Sequence, residues 1–425
     1  MTLKKKNIVL FVGPIPGAIK KWKEEQKKSP YLIYNLQSKK QTKEAIAKAE
    51  DFCDKVIQCS FSNDDSITKA LAPFKDSIVA VLSRSEAKMW YFKRTIPHLP
   101  YIKTPTEKSL IWATDKIEMR KRMHTCDPNI TPKFAIVKDA EEKTIEMIEK
   151  KVGYPLMVKP SGLSASMLVT NCYHRDELEK ALAAVFKQAN IFHRLYKEFY
   201  KDDTPQVLVE ELMEGEMYSV DGVVNGKGKC YMYPSVHIKT GKQIGFDDYF
   251  GYQQITPTLL KQKSFDALEK VAKKGVHALG LRHTHFHAEF IRSEEGWKII
   301  EIAPRIGGFR QDLYKLSYGI DCTANDIRIR TGLEPKILKT KKGHTVALKI
   351  FAQKEGIISS IKGLKKVNEI ASLLSISQRH SKGGKVKFAK NGGKSVFTIM
   401  LHNKDRSELL ADIRRVEQGL DIVIG

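Results

Sequence analysis

Two glutamates, Glu289 and Glu301, lie in a segment from His285 to Gly308 in which polar and apolar residues alternate. Because successive side chains of a strand point to opposite faces, this alternation predicts two neighbouring strands. A turn centred on Glu295 would place Glu289 opposite Glu301, with Cβ atoms about 5 Å apart. Facing carboxylates repel each other, and a bound cation would relieve the repulsion. Oxygen ligands suit magnesium, whereas zinc prefers cysteine or histidine.

The same register has consequences for the neighbouring side chains. His287 would face Ala303, and His285 would face Arg305. The alternative is an ordinary hairpin whose glutamates point into solvent and are neutralised by Arg305 or Lys298. A shift of the register by one residue would also separate the glutamates. Other motifs are therefore needed to decide between the two interpretations.

A possible phosphate-binding motif begins at Lys159, the lysine of the apolar segment YPLMVKP. The loop that follows, SGLSAS at positions 161–166, consists of small residues. Backbone N–H groups of such a loop, together with a lysine, can bind phosphate oxygens. A lysine at the end of a strand is more often simply exposed to solvent, so this motif alone is weak evidence.

A second strand, QVLVEELMEG, has an apolar run that stops at Glu210 and Glu211. A carboxylate at that point can accept a hydrogen bond from an adenine amino group, while main-chain groups bind the ring edge. The alternative is a strand that ends in two solvated glutamates, which is the commoner case for an isolated example.

The elements that must position these residues follow from the patterning. The segments NIVLFVG and DSIVAVLS predict buried strands of a small parallel α/β unit in the first hundred residues. Its first turn, GPIPG, lacks the GxGxxG spacing, which argues against dinucleotide binding there. A new unit begins at Asp115, and Asp115 and Glu118 resemble a capping box at the start of a helix. Ser264 is expected to cap a later helix of the same unit. Strand patterns return in TVALKIFA and KSVFTIML after Gly332.

Composition excludes several classes of protein. A chain of 425 residues that is 42% hydrophobic and 29% charged is long enough for two to four folded domains. No apolar run approaches the roughly 20 residues that span a bilayer, and the N-terminus lacks the pattern of a signal peptide, so we expect a cytoplasmic protein. The six cysteines form no CxxC pair, which argues against disulfides and structural zinc.

The formal charge of +24 permits nucleic acid, anionic membranes or polyanionic substrates as partners. The lysines are spread through every segment, however, and no basic stripe is interleaved with aromatic residues. We therefore expect neither a nucleic-acid nor a membrane partner.

Five motifs follow one another in order: DKxxMR, PxxVKPxxxxxS, VxVEExMEGxxYSVDG, HxEF and ExxPRxGG. In this order they resemble the ATP-grasp superfamily of carboxylate ligases over roughly Asp115 to Gly332. EGEMYSVDG and EIAPRIGG look most like the branch that joins amino acids or other carboxylates to amines, including L-amino acid ligases. Biotin carboxylase and the purine-pathway carboxylating enzymes look more distant.

The resemblance implies an α/β and α+β multidomain protein with the ATP-grasp fold. Residues 1–105 would form a Rossmann-like domain that precedes the ATP-grasp domain. Residues 106–335 would form the ATP-grasp domain, whose two subdomains clamp ATP, and residues 336–425 a C-terminal α+β lid domain. Dimers are common among the enzymes that the chain resembles.

The resemblance also implies roles for individual residues. The residues expected to bind ATP are Lys116, Lys159, Ser161, Gly162, Ser164, Ser166, Glu210, Glu211, Leu212 and Glu216. Glu289 and Glu301 would hold Mg²⁺ or Mn²⁺. Arg305 and Lys159 would act in catalysis by holding the phosphate that is transferred. The residues expected on the substrate side are Arg305, Gly307, Gly308, Arg310 and His287.

Two positions depart from the pattern of the superfamily. The usual asparagine two residues after the second metal glutamate is replaced by Ala303, and His287 would lie opposite it, either filling part of that space or simply packing in the strand. The carboxylate expected to bind the ribose is also displaced: Glu216 lies one residue from the common position, which Met217 occupies.

The implied reaction transfers the γ-phosphoryl group of ATP to a carboxylate, and an amine then displaces the phosphate from the acyl phosphate. Arg310 would grip a substrate carboxylate, although placement on the surface is the alternative. A second hypothesis is a carboxylase that activates bicarbonate on the same scaffold. A third, from a different class, is a nucleotide-responsive protein that binds nucleic acid through its positive charge.

Overall fold

The computed structural model describes residues 7–15, 17–25, 31–160, 169–195, 206–246, 249–338 and 340–425. Its N-terminal part is a parallel sheet in the order β3-β2-β1-β4. The strands are β1 (Ile8–Val12), β2 (Leu32–Ser38), β3 (Lys55–Cys59) and β4 (Ile78–Leu82), and the helices are α1 (Ala18–Glu25), α2 (Lys43–Glu50), α3 (Asp64–Leu71) and α4 (Met89–Thr95). Apolar clusters cover both faces, as a parallel sheet requires. The predicted parallel α/β unit is confirmed.

Two capped helices lead out of this unit, α5 (Glu107–Thr114) and α6 (Lys116–Cys126). The side chain of Asp115 accepts hydrogen bonds from the backbone N–H groups of Ile117 and Glu118. Such a cap satisfies N–H groups that have no partner in the first helical turn. The helix therefore begins where Asp115 predicts it, with Lys116 as its first residue.

A small antiparallel sheet follows in the order β5-β8-β6-β7. Its strands are β5 (Phe134–Val137), β6 (Leu156–Pro160), β7 (Thr170–Cys172) and β8 (Val207–Glu211), and its helices are α7 (Glu142–Lys151) and α8 (Arg175–Leu195). An apolar cluster joins one face of the sheet to both helices. Lys159 lies near the end of the central strand β6.

The next segment builds most of a large sheet. Its strands are β9 (Glu216–Val224), β10 (Cys230–Met232), β11 (Val236–Thr240), β12 (Gly251–Thr256), β13 (Thr284–Ser293) and β14 (Gly296–Ala303), and its helices are α9 (Gln262–Ala278), α10 (Arg310–Tyr318) and α11 (Cys322–Thr331). The helix predicted to be capped by Ser264 instead begins at Gln262, with Lys261 before it. The prediction failed because the helical spacing extends one turn further than the cap residue suggested.

The C-terminal part adds three strands to this sheet and forms a separate three-stranded sheet. Its strands are β15 (His344–Ile350), β16 (Gly356–Lys362), β17 (Leu373–Gln378), β18 (Lys385–Val386), β19 (Phe397–Asn403) and β20 (Asp421–Ile424), and its helices are α12 (Leu364–Asn368) and α13 (Arg406–Gly419). The large sheet runs β14-β13-β9-β11-β12-β15-β19-β17, and β12 pairs with β15. The expected division at 335/336 thus falls within one continuous sheet.

The two faces of the β13–β14 hairpin differ in chemistry. Phe286, Ala288 and Phe290 are buried in an apolar cluster that includes α9. Since side chains alternate, His287 and Glu289 point to the opposite face. We call this the site face; α10 packs against the same sheet at β12 and β15. None of the helices that the structure describes is long and apolar enough to cross a membrane.

Candidate active site

The two glutamates of the hairpin lie directly opposite each other, Glu289 on β13 and Glu301 on β14. Burial and the negative charge of Glu289 raise the pKa of Glu301. Burial would raise the pKa of Glu289 as well, but the hydrogen bond and charge of His287, together with the charges of Arg310 and Arg305, lower that pKa. Among the described residues, no side chain donates a hydrogen bond to the Glu301 carboxylate. This arrangement fits a divalent cation.

The turn of the hairpin differs from the prediction although the glutamate pairing agrees with it. Ser293 pairs with Gly296, so only two residues form the turn, which is not centred on Glu295. A shift in the ladder directly after Glu289 then restores its position opposite Glu301. This β-bulge supplies the residue that the shorter turn removes.

An aspartate that sequence reasoning missed completes this part of the site. Asp221, on β9, lies opposite His287, which in turn lies opposite Ala303. The Nδ1 atom of His287 is 2.7 Å from Asp221 Oδ1, and its Nε2 atom is 3.2 Å from Glu289 Oε1. The imidazole therefore bridges two carboxylates. The only signal in the sequence is an aspartate within the strand pattern YSVDGVV.

The opposite charges of His287 and its carboxylate partners shift one another's pKa values. Burial alone would lower the pKa of His287, but Asp221 and Glu289 raise it to about 9, so the ring is an imidazolium at neutral pH. Burial would raise the pKa of Asp221, but His287, His285 and Arg310 lower it to about 2. The imidazolium thereby fixes the orientation of the Glu289 carboxylate.

The two glycines after the hairpin have different surroundings. The N–H of Gly307 donates to Asp221 Oδ2 over 2.9 Å. A Cβ atom at Gly307 would lie 2.4 Å from His287 Nδ1, so only glycine fits. A Cβ atom at Gly308 would meet nothing within 4 Å, so this residue borders open space.

Arg310 lies at the start of α10 and is 1% exposed. Its Nη1 atom is 2.5 Å from Gln254 Oε1, and its Nη2 atom is 2.7 Å from Ser219 Oγ. Asp221 Oδ1 lies 3.5 Å from its Nε atom. The guanidinium therefore anchors α10 to the sheet, and its placement does not favour the predicted grip on a substrate carboxylate.

Arg305 lies beyond the end of β14, so the ladder pairing predicted with His285 is absent. Its guanidinium forms an ion pair with Glu86, a residue of the N-terminal unit that sequence reasoning missed. Burial would lower the pKa of Arg305, but Glu86 outweighs it and raises that pKa. Glu86, Lys116 and Glu301 line one small cavity, so Lys116 and Arg305 lie at the same end of the hairpin.

Lys159 and Glu210 lie on neighbouring strands of the small sheet. Lys159 Nζ is 2.5 Å from Glu210 Oε2, and Arg120 pairs with the other carboxylate oxygen. Arg120 also donates to the backbone oxygen of Ile300 over 2.7 Å, which links the small sheet to β14. Burial would raise the pKa of Glu210, but Arg120 and Lys159 lower it to about 2. The Glu210 carboxylate is therefore held by protein cations.

The residues after Glu210 also have protein partners. Glu211 Oε1 is 2.5 Å from Lys298 Nζ. Leu212 is buried, and its N–H donates to the backbone oxygen of Pro155 over 3.0 Å. These contacts place both residues where the small sheet meets the hairpin. Their expected contacts with adenine remain predictions.

Glu216 lies on the face of β9 opposite to the carboxylate pair. Ser219 pairs with Glu289, so Met217 and Ser219 are on the site face, whereas Glu216 and Tyr218 point the other way. Tyr218 belongs to the apolar cluster against α9. The placement therefore does not favour ribose binding by Glu216, and Met217 occupies that side.

Some expected residues cannot be placed. Ser161, Gly162, Ser164 and Ser166 lie outside the described residues. Within the described ranges, no group of three or more histidine, cysteine or acidic side chains has the arrangement of a metal site. Glu289 and Glu301 thus offer two facing carboxylates.

Comparison with known proteins agrees with this geometry. Residues 152–312 match the ATP-grasp domain family. The chain is 23% identical to a D-alanine–D-alanine ligase of Bacillus velezensis over 40% of this chain and 45% of the relative. It is 26% identical to a phosphoribosylamine–glycine ligase of Lactococcus lactis over 51% of this chain and 50% of the relative. The chain thus spans about half the length of these curated relatives.

A solved structure extends the likeness to the whole chain. The L-amino acid ligase of Bacillus licheniformis superposes with a TM-score of 0.78 and 18% identity, covering 99% of this chain and 100% of that one. At this identity the likeness establishes the fold. The family match assigns an ATP-grasp domain to residues 152–312, and the superposition shows that the chain as a whole has the ATP-grasp fold.

Proposed function

We propose that the protein is an ATP-dependent ligase that joins a carboxylate to an amine through an acyl phosphate, with an amino acid as a substrate. The observation that carries this proposal is the facing pair Glu289 and Glu301, with Arg305 and Lys116 at the same end of the hairpin. The similarity to ligases that act on alanine and on glycine supports the amino acid as substrate.

ATP and Mg²⁺ or Mn²⁺ are the cofactors that suit these residues. Mg²⁺ is bound in many enzymes by one or two carboxylates together with phosphates and water. Glu289 and Glu301 are such carboxylates, and the raised pKa of Glu301 reflects burial and the charge of Glu289. When bound, the metal would neutralise phosphate charge and promote transfer of the γ-phosphoryl group.

The basic residues would hold the phosphate groups in line. Lys159 lies near the end of β6, where Glu210 fixes its ammonium group. Arg305 pairs with Glu86, which lines the same small cavity as Glu301, and in binding the transferred phosphate it would exchange or share its contact with Glu86. The amine then attacks the acyl carbon, and the phosphate leaves.

The test is a phosphate-release assay with ATP, Mg²⁺ and amino acids singly and in pairs, with products identified by mass. We expect an amide product, and we expect Glu301→Gln to lower turnover about 10²- to 10³-fold because one charged metal ligand is lost. The matched control is Glu294→Gln, an exposed glutamate in the turn of the same hairpin, which should retain full turnover.

Two outcomes would contradict the proposal. Glu301→Gln could retain ATP turnover across a broad screen of acids and amines, in which case the carboxylate pair has no part in catalysis. Bicarbonate could stimulate ATP hydrolysis in the absence of any amino acid, in which case the protein is a carboxylase.

A further inference from the structure

Lys349, on β15, is a basic residue of the site face that none of the sequence motifs includes. Val346 and Leu348 pack with α13 on one side of the strand. Ala347 packs with α10 on the other side. Since side chains alternate, Lys349 points with Ala347 toward α10. Its ammonium group lies 5.6 Å from the ring centre of Phe309, the residue that precedes α10.

Lys349 differs from the other basic residues of the site because it has no acidic partner. Lys159 pairs with Glu210, and Arg305 pairs with Glu86. In the part of the chain that the structure describes, no carboxylate lies within ion-pair distance of Lys349. Lys349 is nevertheless half-buried.

The charges around Lys349 favour a further anion. Burial lowers the pKa of Lys349, and the positive charges of Arg310 and Lys394 lower it further. The more distant negative charge of Glu289 raises the pKa of Lys349 but does not cancel the effect of burial. A half-buried ammonium group without an acidic partner costs free energy in the empty protein. An anion bound beside it would remove that cost, whereas a neutral group would not.

A carboxylate on the substrate fits this position better than the nucleotide phosphates do. The phosphates are expected beside Lys159, on β6 of the small sheet, and Lys349 lies on β15 of the large sheet. Lys349 is also close to Phe309, next to the open space at Gly308. Lys349 therefore lies near open space on the site face and on a different sheet from Lys159.

We infer that Lys349 selects a substrate that carries a carboxylate in addition to the one that is activated, such as an acidic amino acid. This inference rests on the proposed function and specifies its substrate class. Lys349 would form an ion pair with the additional carboxylate and thereby position the substrate against the metal and Arg305.

The test compares acidic amino acids with their neutral amides, L-glutamate with L-glutamine and L-aspartate with L-asparagine, in the phosphate-release assay. We expect the wild-type protein to favour the acidic member about tenfold or more in kcat/KM, as a charged hydrogen bond allows. Lys349→Met should reduce this ratio to about one through a higher KM, with the KM for ATP unchanged. Lys349→Arg should retain the preference.

The control is Lys362→Met, an exposed lysine on β16 of the same part of the chain, which should leave the preference unchanged. An active wild-type protein without a preference for acidic substrates, or a preference that survives Lys349→Met, would overturn the inference. A raised KM for ATP in Lys349→Met would also overturn it, because the lysine would then contact phosphate. Failure of the proposed function is distinguishable, since the wild-type protein would then form no product with any pair.

Discussion

The small and the large sheet each hold a glutamate near the centre of the site, and they compensate its charge differently. In the small sheet Glu210 contacts Lys159 and Arg120, which hold its pKa at about 2 against the effect of burial. In the large sheet Glu301 faces Glu289, and burial and that second carboxylate raise its pKa. A carboxylate in direct contact with protein cations is suited to a structural role. One without such a contact is suited to a cation that arrives with a ligand.

The largest expected effect is on the small sheet, where protein cations compensate the charge of Glu210. Glu210→Gln leaves Arg120 and Lys159 without a charged partner, and we expect a loss of about 3–5 kcal/mol in the free energy of unfolding. Urea unfolding measures it, and the neighbouring Glu211→Gln, with a less buried ion pair, should cost about 1 kcal/mol or less. Equal losses for the two variants would contradict the account.

The contribution of Glu210 to stability should depend on pH, which further distinguishes the small sheet from the large one. The pKa of Glu210 is about 2 in the folded protein, below its ordinary value of 4.5. Its stabilising contribution is therefore present above about pH 4.5 and is lost as the pH falls toward 2. We expect the stability difference between wild type and Glu210→Gln to shrink over this interval. A constant difference between pH 6 and pH 3 would show that Glu210 is not stabilised as an anion.

A smaller effect is expected when the orientation of a metal ligand is disturbed. Asp221→Asn removes the charge that holds His287 protonated, so Glu289 loses its cationic partner. We expect about 10- to 100-fold weaker binding of Mn²⁺ with nucleotide, as for other residues that support metal ligands. Thermal unfolding would verify that the variant folds, and the exposed Asp65→Asn is the control. Unchanged Mn²⁺ affinity in a folded Asp221→Asn protein would assign Asp221 to packing alone.

The smallest effect is expected at Glu216, on the opposite face of β9. Glu216→Gln should change the KM for ATP by less than about twofold, because a surface substitution away from the site rarely exceeds 0.5 kcal/mol. Steady-state kinetics with varied ATP measures it. A rise of tenfold or more would mean that the nucleotide reaches that face, as the original ribose prediction required.

The sequence allowed the carboxylate pair and the strand that carries Lys159 to be predicted because both depend on local patterns. Alternation over His285 to Gly308 placed Glu289 opposite Glu301, although the shorter turn and the bulge were not foreseen. Lys159 was found from an apolar strand followed by small residues. The fold followed from the order of five motifs, which the comparisons confirmed.

The residues that were missed depend on contacts between distant segments. Asp221 reaches His287 only because β9 pairs with β13, and Glu86 reaches Arg305 only because the N-terminal unit packs beside the hairpin. Lys349 joins the site face because β15 extends the large sheet. No periodicity within one segment contains this information. The face on which Glu216 lies could not be predicted for a related reason, since the face of β9 is set by its pairing partner.

The central claim is that Glu289 and Glu301 form the cation site of an ATP-using enzyme. Its most direct test is a titration of Mn²⁺, followed by electron paramagnetic resonance, in the presence of a non-hydrolysable ATP analogue. We predict that Glu301→Gln weakens Mn²⁺ binding at least about tenfold while Glu294→Gln binds it as the wild type does. Equal Mn²⁺ affinity in Glu301→Gln and the wild type would contradict the claim.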